Sequence, residues 1–458
     1  MTDKKWIYYF SGKECEGSAK MTPVLGGKGA NLAEMANLGL PVPPGFTITT
    51  DVCNEYYKDN KCQLPPELRD QVLSYLKKVE EEMGRKFGDP EMPLLVSVRS
   101  GAAVSMPGMM DTVLNVGLNE KTREGLIKYS NNPRFVYDAH RRLIQMYADI
   151  VMEKAAGIEP KDEFSSIAKI LDGIKETLKK EKGKEKDSDL DAEDLKELIV
   201  KYKEKVNEVF GKPFPDDPLD QLFGAIAAVF QSWMGKKAIS YRAIEKLPDT
   251  MGTAVTVQTM VFGNMGPTSG TGVAFTRDPA TGENYFYGEW LPNAQGEDVV
   301  AGKETPHPLN DGTKTQRNKH LASLEAFAPE TYQQLFEIKE KLEKHYKDML
   351  DIEFTIQDKK LFMLQCRVGK RTGPAAVKMA MDMLKEGLID EKTAVLRVKP
   401  SQVVELLLPV LDAKVEKGNK PLAIGLPAGP GCAVGQIVFT STDAVKAMKA
   451  SNYFSFQK

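Results

Sequence analysis

Residues 351–367 constrain the fold more than any other stretch of this chain. Asp351-Ile352-Glu353-Phe354-Thr355-Ile356 alternates polar with apolar residues, Asp358-Lys359-Lys360 is a polar turn, and Leu361-Phe362-Met363-Leu364-Gln365-Cys366-Arg367 reads as a return strand. Successive side chains of a strand point to opposite faces, so this pattern predicts an antiparallel hairpin with one polar and one buried face. A hairpin centred on Lys359 sets Glu353 opposite Gln365 and Asp351 opposite Arg367. That register places a carboxylate and an amide oxygen, donors suited to Mg2+, beside an Asp–Arg pair able to face phosphate. Taken alone, the segment is equally an amphipathic hairpin whose outer face meets only water.

Five other stretches carry candidate chemistry. In Gly26-Gly27-Lys28-Gly29 the glycines let backbone N–H groups approach an anion, and the loop leads into a helix N-terminus, where the dipole favours negative charge. The Gly-x4-Gly-Lys-Ser/Thr spacing of a Walker loop is missing, and Ala30 follows where a metal-binding hydroxyl would be wanted. A plain structural turn and a phosphate site both remain open. Arg99 follows the apolar strand 94–98 and opens a loop, Gly101 to Gly108, whose small residues fit a lid over a reacting phosphate. The alternative for Arg99 is a surface charge. Met106, Met109 and Met110 read as hydrophobic packing. Gly270-Thr271-Gly272, Gly288-Glu289 and Asn293-Ala294-Gln295-Gly296-Glu297 read as turns that can present backbone N–H groups to phosphates, or as turns and nothing more.

At 458 residues the chain is too long for one core, so two to four domains are expected. The pattern is α/β. A mixed segment 1–112 is followed by a mostly helical insertion 113–245, a return to strands at 246–371, a helical linker 372–422 and a small unit 423–458. Helices are predicted at 66–83, 221–241 and 331–349, and the charge-dense stretch 161–205 as a solvated helical insertion. A net charge of −2 argues against a nucleic-acid surface. Five scattered cysteines without a CxxC pair fit a reducing compartment, and four scattered histidines show no zinc spacing. The N-terminus has no signal-type apolar run, and the apolar stretch 403–411 is broken by Glu405 and Pro409, which excludes a membrane span there. The expected location is cytoplasmic, with no membrane partner.

Together, residues 25–35, 97–111, 258–276, 293–302 and 351–367 resemble the pyruvate phosphate dikinase family. The related pyruvate,water dikinases share the Gly-Gly-Lys loop, but Met106-Pro107-Gly108-Met109-Met110-Asp111 looks like the phosphate-dependent enzymes. The resemblance implies an ATP-grasp nucleotide-binding fold in which two α/β subdomains clamp Mg-ATP. It also implies a reaction that yields AMP, pyrophosphate and a phosphorylated histidine on a swivelling domain, after which a barrel domain makes phosphoenolpyruvate from pyruvate. Carried over by motif, Lys28, Arg99 and Arg367 look like phosphate-binding cations, Glu353 and Gln365 like magnesium ligands, and Asp351 like their support. Gly270, Thr271 and Gly272 would form a loop covering the phosphates, and Gln258, Met260 and Val261 the adenine hinge. Gly101, Glu289 and Gln295 would complete the nucleotide contacts. Cys366 stands where the family suggests threonine, with its side chain expected to face away from the ligand.

Gly425 to Gly431 and Gly435 to Phe439 resemble the opening of the phosphohistidine domain, but Ser451 to Lys458 does not match the family. The Gly-rich Thr-Ser-His stretch with the acceptor histidine, and the pyruvate barrel, are not found in these 458 residues. The expectation is a chain that binds ATP and phosphate or pyrophosphate, is monomeric where the full-length enzyme is a homodimer, and needs the phosphohistidine and pyruvate-binding domains to complete the reaction. Apolar Ile437, Val438 and Phe439 would then be exposed. A non-catalytic ATP-binding or regulatory paralogue and pyruvate,water dikinase chemistry are the alternatives.

Overall fold

The computed structural model describes residues 4–58, 62–301, 305–407, 414, 418–420, 422–423 and 435–450. The stretches Gly425–Gly431 and Ser451–Lys458, singled out above, lie outside the described residues. The chain forms two compact units. The first comprises Met1–Asp278 with Asn284–Gly369, and the second Pro279–Glu283 with Lys370–Lys458.

The first unit is a mixed α/β body with two five-stranded antiparallel sheets. The strands are β1 (Ile7–Phe10), β2 (Gly45–Ile48), β3 (Lys86–Phe87), β4 (Pro93–Leu94), β5 (Val96–Ala102), β6 (Thr112–Val116), β7 (Thr253–Thr259), β8 (Gly270–Phe275), β9 (Tyr287–Pro292), β10 (His307–Pro308), β11 (Leu350–Gln357) and β12 (Lys360–Val368). The first sheet runs β1-β2-β7-β5-β6 and the second β10-β9-β8-β11-β12, while β3 and β4 pair separately. The chain passes from one sheet to the other between β7 and β8.

Helix α1 (Thr22–Asn37) ties the two sheets together. It is broken at Gly26, whose backbone is left-handed (φ 65, ψ 171). A Cβ at Gly26 would lie 1.6 Å from the Gly101 carbonyl oxygen of β5, and one at Gly29 would lie 2.6 Å from Thr47 Oγ1 of β2. Leu32, Ala33 and Met35 of α1 are buried in the same core as Ile352, Phe354, Met363 and Cys366 of the β11–β12 hairpin. Two glycines therefore allow one side of the helix to lie on the first sheet, and its apolar stripe packs against the second.

Between β6 and β7 the chain is mostly helical. Its helices include Glu120–Ser130, Pro133–Tyr147, Ile167–Glu181, Ala192–Phe210, Pro218–Ser232 and Lys236–Glu245. Two expectations need correction. The predicted helix 221–241 is two helices, because the chain leaves helical geometry at Gly235 (φ −65, ψ 146), just after buried Trp233 donates its indole N–H to the Asp249 carbonyl. The charge-dense stretch 161–205 is not uniformly solvated. Lys175 and Lys179 are buried and share Asp187, at 2.8 and 2.9 Å. Their acidic partners allow these ammonium groups to leave water.

In the second unit the helices Gly373–Lys385, Glu391–Arg397 and Pro400–Glu405 follow one another. Glu405 Oε2 accepts from the Gly373 N–H, and Thr372 Oγ1 donates to the Ala280 carbonyl. Ile437 and Phe439 are strongly exposed. Among the described residues no helix is long and apolar enough to cross a membrane.

Candidate nucleotide site

A cavity of about 650 Å³ opens between the two sheets of the first unit. The first sheet contributes Ser97 and Arg99 from β5, Thr112 and Leu114 from β6, and Gln258 and Thr259 from β7. The second contributes Thr271 to Val273 of β8, Glu353 to Thr355 of β11 and Leu364 of β12, and the joining segment adds Met260, Val261 and Gly263.

The charged end is built largely by the β11–β12 hairpin. Asp351 pairs with Arg367 and Glu353 with Gln365, as the alternation predicts. The turn itself is tighter than expected. Gln357 faces Lys360 across the two-residue turn Asp358-Lys359, both with positive φ, a geometry that matches strand twist. A bulge at Leu364 then shifts the register by one residue between Glu353 and Phe354. The bulged Leu364 offers its carbonyl oxygen to Arg99 Nη1 at 3.3 Å.

Arg99 reaches from the other sheet to Glu353, with Nη2 3.2 Å from Oε2. It sits within β5, not at a strand end opening a loop, because the pairing of β5 with β7 continues through Ala102. Arg367 donates Nε to Asp351 Oδ2 at 2.7 Å and Nη1 to Ser105 Oγ at 3.4 Å. Burial raises the Asp351 carboxyl above its ordinary range, and Arg367 opposes that shift. Lys28, in the first turn after the Gly26 break, shares this electrostatic neighbourhood. Burial and then the Arg99 and Arg367 guanidinium groups push its ammonium down to about 7, against the pull of Glu353. Buried Gln365 Oε1 has no hydrogen-bond partner among the described residues. Glu353 carboxylate and Gln365 amide oxygens thus lie opposite each other on adjacent strands, a hard-oxygen pair of the kind Mg2+ accepts alongside water and phosphate oxygens. No cluster of three His, Cys, Asp or Glu residues able to hold a metal occurs among the described residues.

At the other end, Met260 N–H donates to the Leu95 carbonyl (2.9 Å) and Phe262 N–H to Gln357 Oε1 (2.8 Å). The Val261 amide and carbonyl between them have no partner among the described residues. Gln258 lines the wall while its Nε2 donates to the Pro43 carbonyl at 3.1 Å. Gln295 also lines the cavity, its Nε2 on Asn264 Oδ1 and its buried Oε1 without a partner among the described residues.

The expected loop at Gly270, Thr271 and Gly272 is a correction. These residues form part of the buried strand β8, paired with β9 and β11. A Cβ at Gly272 would lie 2.6 Å from the Phe354 ring, so the glycine serves close sheet packing, and Thr271 Oγ1 donates to the Phe354 carbonyl. Glu289 likewise lies in β9 opposite Val273 instead of in a turn, and burial raises its carboxyl. The β5–β6 connection 103–111 contributes Gly108 to the cavity lining, and its Met106 is buried in the core. Gly101 lies in β5 against α1, and Cys366 is buried in the core on the face away from the cavity. Lys28, Gly101, Gly270, Glu289, Asp351, Gln365 and Arg367 stand outside the cavity lining itself. Ser97, Thr355 and Leu364 line it without having been singled out; the strand alternation that places Arg99 and Glu353 also placed Ser97 and Thr355.

The family model for the pyruvate phosphate dikinase AMP/ATP-binding domain matches residues 22–64, 60–319 and 308–388. Among curated proteins, the chain is 51% identical over 444 residues to a pyruvate, phosphate dikinase of Clostridium symbiosum, covering 97% of this chain and 48% of the relative. It is 49% identical to one of Rhizobium meliloti over 445 residues, with the same coverage. It is 50% identical over 443 residues to a chloroplastic one of Oryza sativa, covering 97% of this chain and 44% of that relative. The chain thus spans about half the length of the curated relatives it matches.

Proposed function

The chain belongs to the pyruvate phosphate dikinase family through its AMP/ATP-binding domain, and from that premise we propose that it is the ATP-handling part of such an enzyme, an ATP-grasp fold that takes Mg-ATP between its two sheets. The observation that carries this reading is the meeting of Arg99 and Glu353 from opposite sheets at 3.2 Å, in the electrostatic neighbourhood of Lys28 and Arg367 and with Gln365 on the strand beside Glu353.

In this reading the triphosphate lies at the charged end and the base at the Val261 end. Arg99 and Arg367 exchange their carboxylate partners for phosphate oxygens, and Lys28 takes up a proton beside them. These fixed cations hold the phosphates in place and stabilise charge that shifts onto them during transfer, which is most of what phosphoryl transfer asks of a protein. Glu353 and Gln365 would hold Mg2+, which supplies charge neutralisation at the phosphate oxygens. The loop 103–111, tied to Arg367 through Ser105, excludes water over the phosphates. The acceptor is a histidine on a domain beyond this chain. The full reaction converts ATP, phosphate and pyruvate to AMP, pyrophosphate and phosphoenolpyruvate. Free thiols buried at Cys53 and Cys366 favour a reducing compartment such as the cytoplasm.

Calorimetric titration of Mg-ATP into the wild type and Lys28→Ala tests the site. Binding by the wild type and a loss of roughly tenfold or more in the variant are expected. Superimposable titrations would sink the assignment.

A further inference from the structure

Residues 260–263, the first part of the connection between the two sheets, have no regular structure, yet Met260, Val261 and Gly263 line the cavity where a base would lie. Two hydrogen bonds bracket Val261. One is made by main chain alone, Met260 N–H to Leu95 O, and does not depend on the identity of any side chain that keeps the Met260 N–H. The other depends on a side chain, Gln357 Oε1, which accepts from Phe262 N–H at 2.8 Å. Gln357 is itself well anchored, as the last residue of β11 before the Asp358-Lys359 turn. Asp358 N–H donates to Ser269 Oγ at 3.0 Å, Lys359 N–H to the Thr268 carbonyl at 3.1 Å, and Thr268 Oγ1 to Asp358 Oδ1 at 3.0 Å. The hairpin tip is therefore fixed to the loop before β8, and the glutamine amide reaches from that fixed tip to the joint.

We infer that Gln357 is a positioning residue for base recognition: by holding the Phe262 amide it sets the direction of the Val261 peptide groups, which have no partner among the described residues, and so selects the hydrogen-bonding edge of the nucleobase. The inference rests on the reading of the cavity as an ATP site. The edge of adenine offers a donor beside an acceptor, and guanine presents the reverse order at the corresponding atoms, so a displaced peptide loses discrimination as well as affinity.

The test compares Mg-ATP, Mg-GTP and Mg-tripolyphosphate binding to the full chain, wild type against Gln357→Ala and Gln357→Glu. Gln357→Ala should lose about tenfold in ATP affinity and narrow the ATP-over-GTP preference, with tripolyphosphate affinity held within about twofold. Gln357→Glu, whose carboxylate accepts the same hydrogen bond, should restore ATP binding. If the alanine variant does not fold, Gln357→Met, close in length and without the acceptor, takes its place. Unchanged ATP affinity in the truncated variant, parallel loss of ATP and tripolyphosphate, or no rescue by glutamate would each overturn the inference. A wild type that binds no Mg-ATP would remove it together with the site reading. A wild type whose binding is weakened by Lys28→Ala but not by Gln357→Ala would overturn this inference alone.

Discussion

Arg99 of one sheet and Glu353 of the other form an ion pair across the cavity, Nη2 to Oε2 at 3.2 Å, so each takes up part of the other's binding capacity. If Glu353 holds the metal and Arg99 a phosphate, as proposed, each ligand competes with this ion pair, and the binding of one frees the partner group for the other. Glu353→Ala should therefore split the effect of magnesium from that of the nucleotide. ATP with a chelator should bind the variant at least as well as the wild type, whereas the gain on adding Mg2+ should shrink about tenfold. Titration with and without Mg2+ measures both quantities. An undiminished magnesium gain would exclude Glu353 from the metal site.

The depressed Lys28 ammonium gives a pH signature. With its ligand-free value near 7, Lys28 is mostly neutral at pH 8, and a bound triphosphate favours its charged form. Binding near pH 8 should then take up protons, up to about one. Affinity should fall as pH rises above about 7, until the higher value of the bound state is reached. Titrations at pH 8 in buffers of different ionisation enthalpy count the protons. Lys28→Arg, which stays charged throughout, should abolish the uptake. Absence of proton uptake by the wild type would contradict the placement of Lys28 beside the phosphates.

The two leading glycines of the Lys28 loop should not be interchangeable. Gly26 has φ +65, and its added Cβ would lie 1.6 Å from the Gly101 carbonyl oxygen, whereas a Cβ at Gly27 meets nothing closer than 3.4 Å. Gly26→Ala should cost roughly 3 kcal/mol, from left-handed strain and a backbone clash together. Gly27→Ala should stay within about 1 kcal/mol in stability. Urea midpoints compare the two, and equal midpoints would mean that α1 does not enter the first sheet as described.

Thiol chemistry should follow burial. Burial pushes the Cys53 thiol up to about 12 and raises Cys366 further still, whereas Cys62 is exposed. Brief maleimide labelling with peptide mapping should tag Cys62 in the native protein and leave Cys53 and Cys366 unmodified until the chain is denatured. Early tagging of Cys366 would place it outside the core between α1 and the β11–β12 hairpin.

What was legible in the sequence was what alternation encodes. The polar set Asp351, Glu353, Gln365 and Arg367 can be paired from the period of two together with a hairpin centre at Lys359. The pairing came out correctly for an incomplete reason, because the turn is centred half a residue earlier than Lys359 and the bulge at Leu364 restores the phase. A bulge leaves no mark in an apolar run, so it could not be read. Gly270-Thr271-Gly272 looked like a loop because small residues carry no side-chain period; only the Phe354 and Trp290 rings packed against them explain why a strand needs glycine there. The burial of Lys175 and Lys179 within the charge-dense stretch 161–205 has no sequence signal for a related reason. Burial of a charge depends on partners such as Asp187 that approach only when the chain folds back.

Strand β11 carries Glu353 near its middle and Gln357 at its end. Four residues of strand span about 13 Å. If the base sits at the joint and the metal at Glu353, one rigid strand becomes a gauge of ligand length. A nucleotide short of a phosphate would then be rejected for failing to reach both ends at once. Inserting two residues between Glu353 and Gln357 would keep every side chain on its face yet leave the gauge reading wrong.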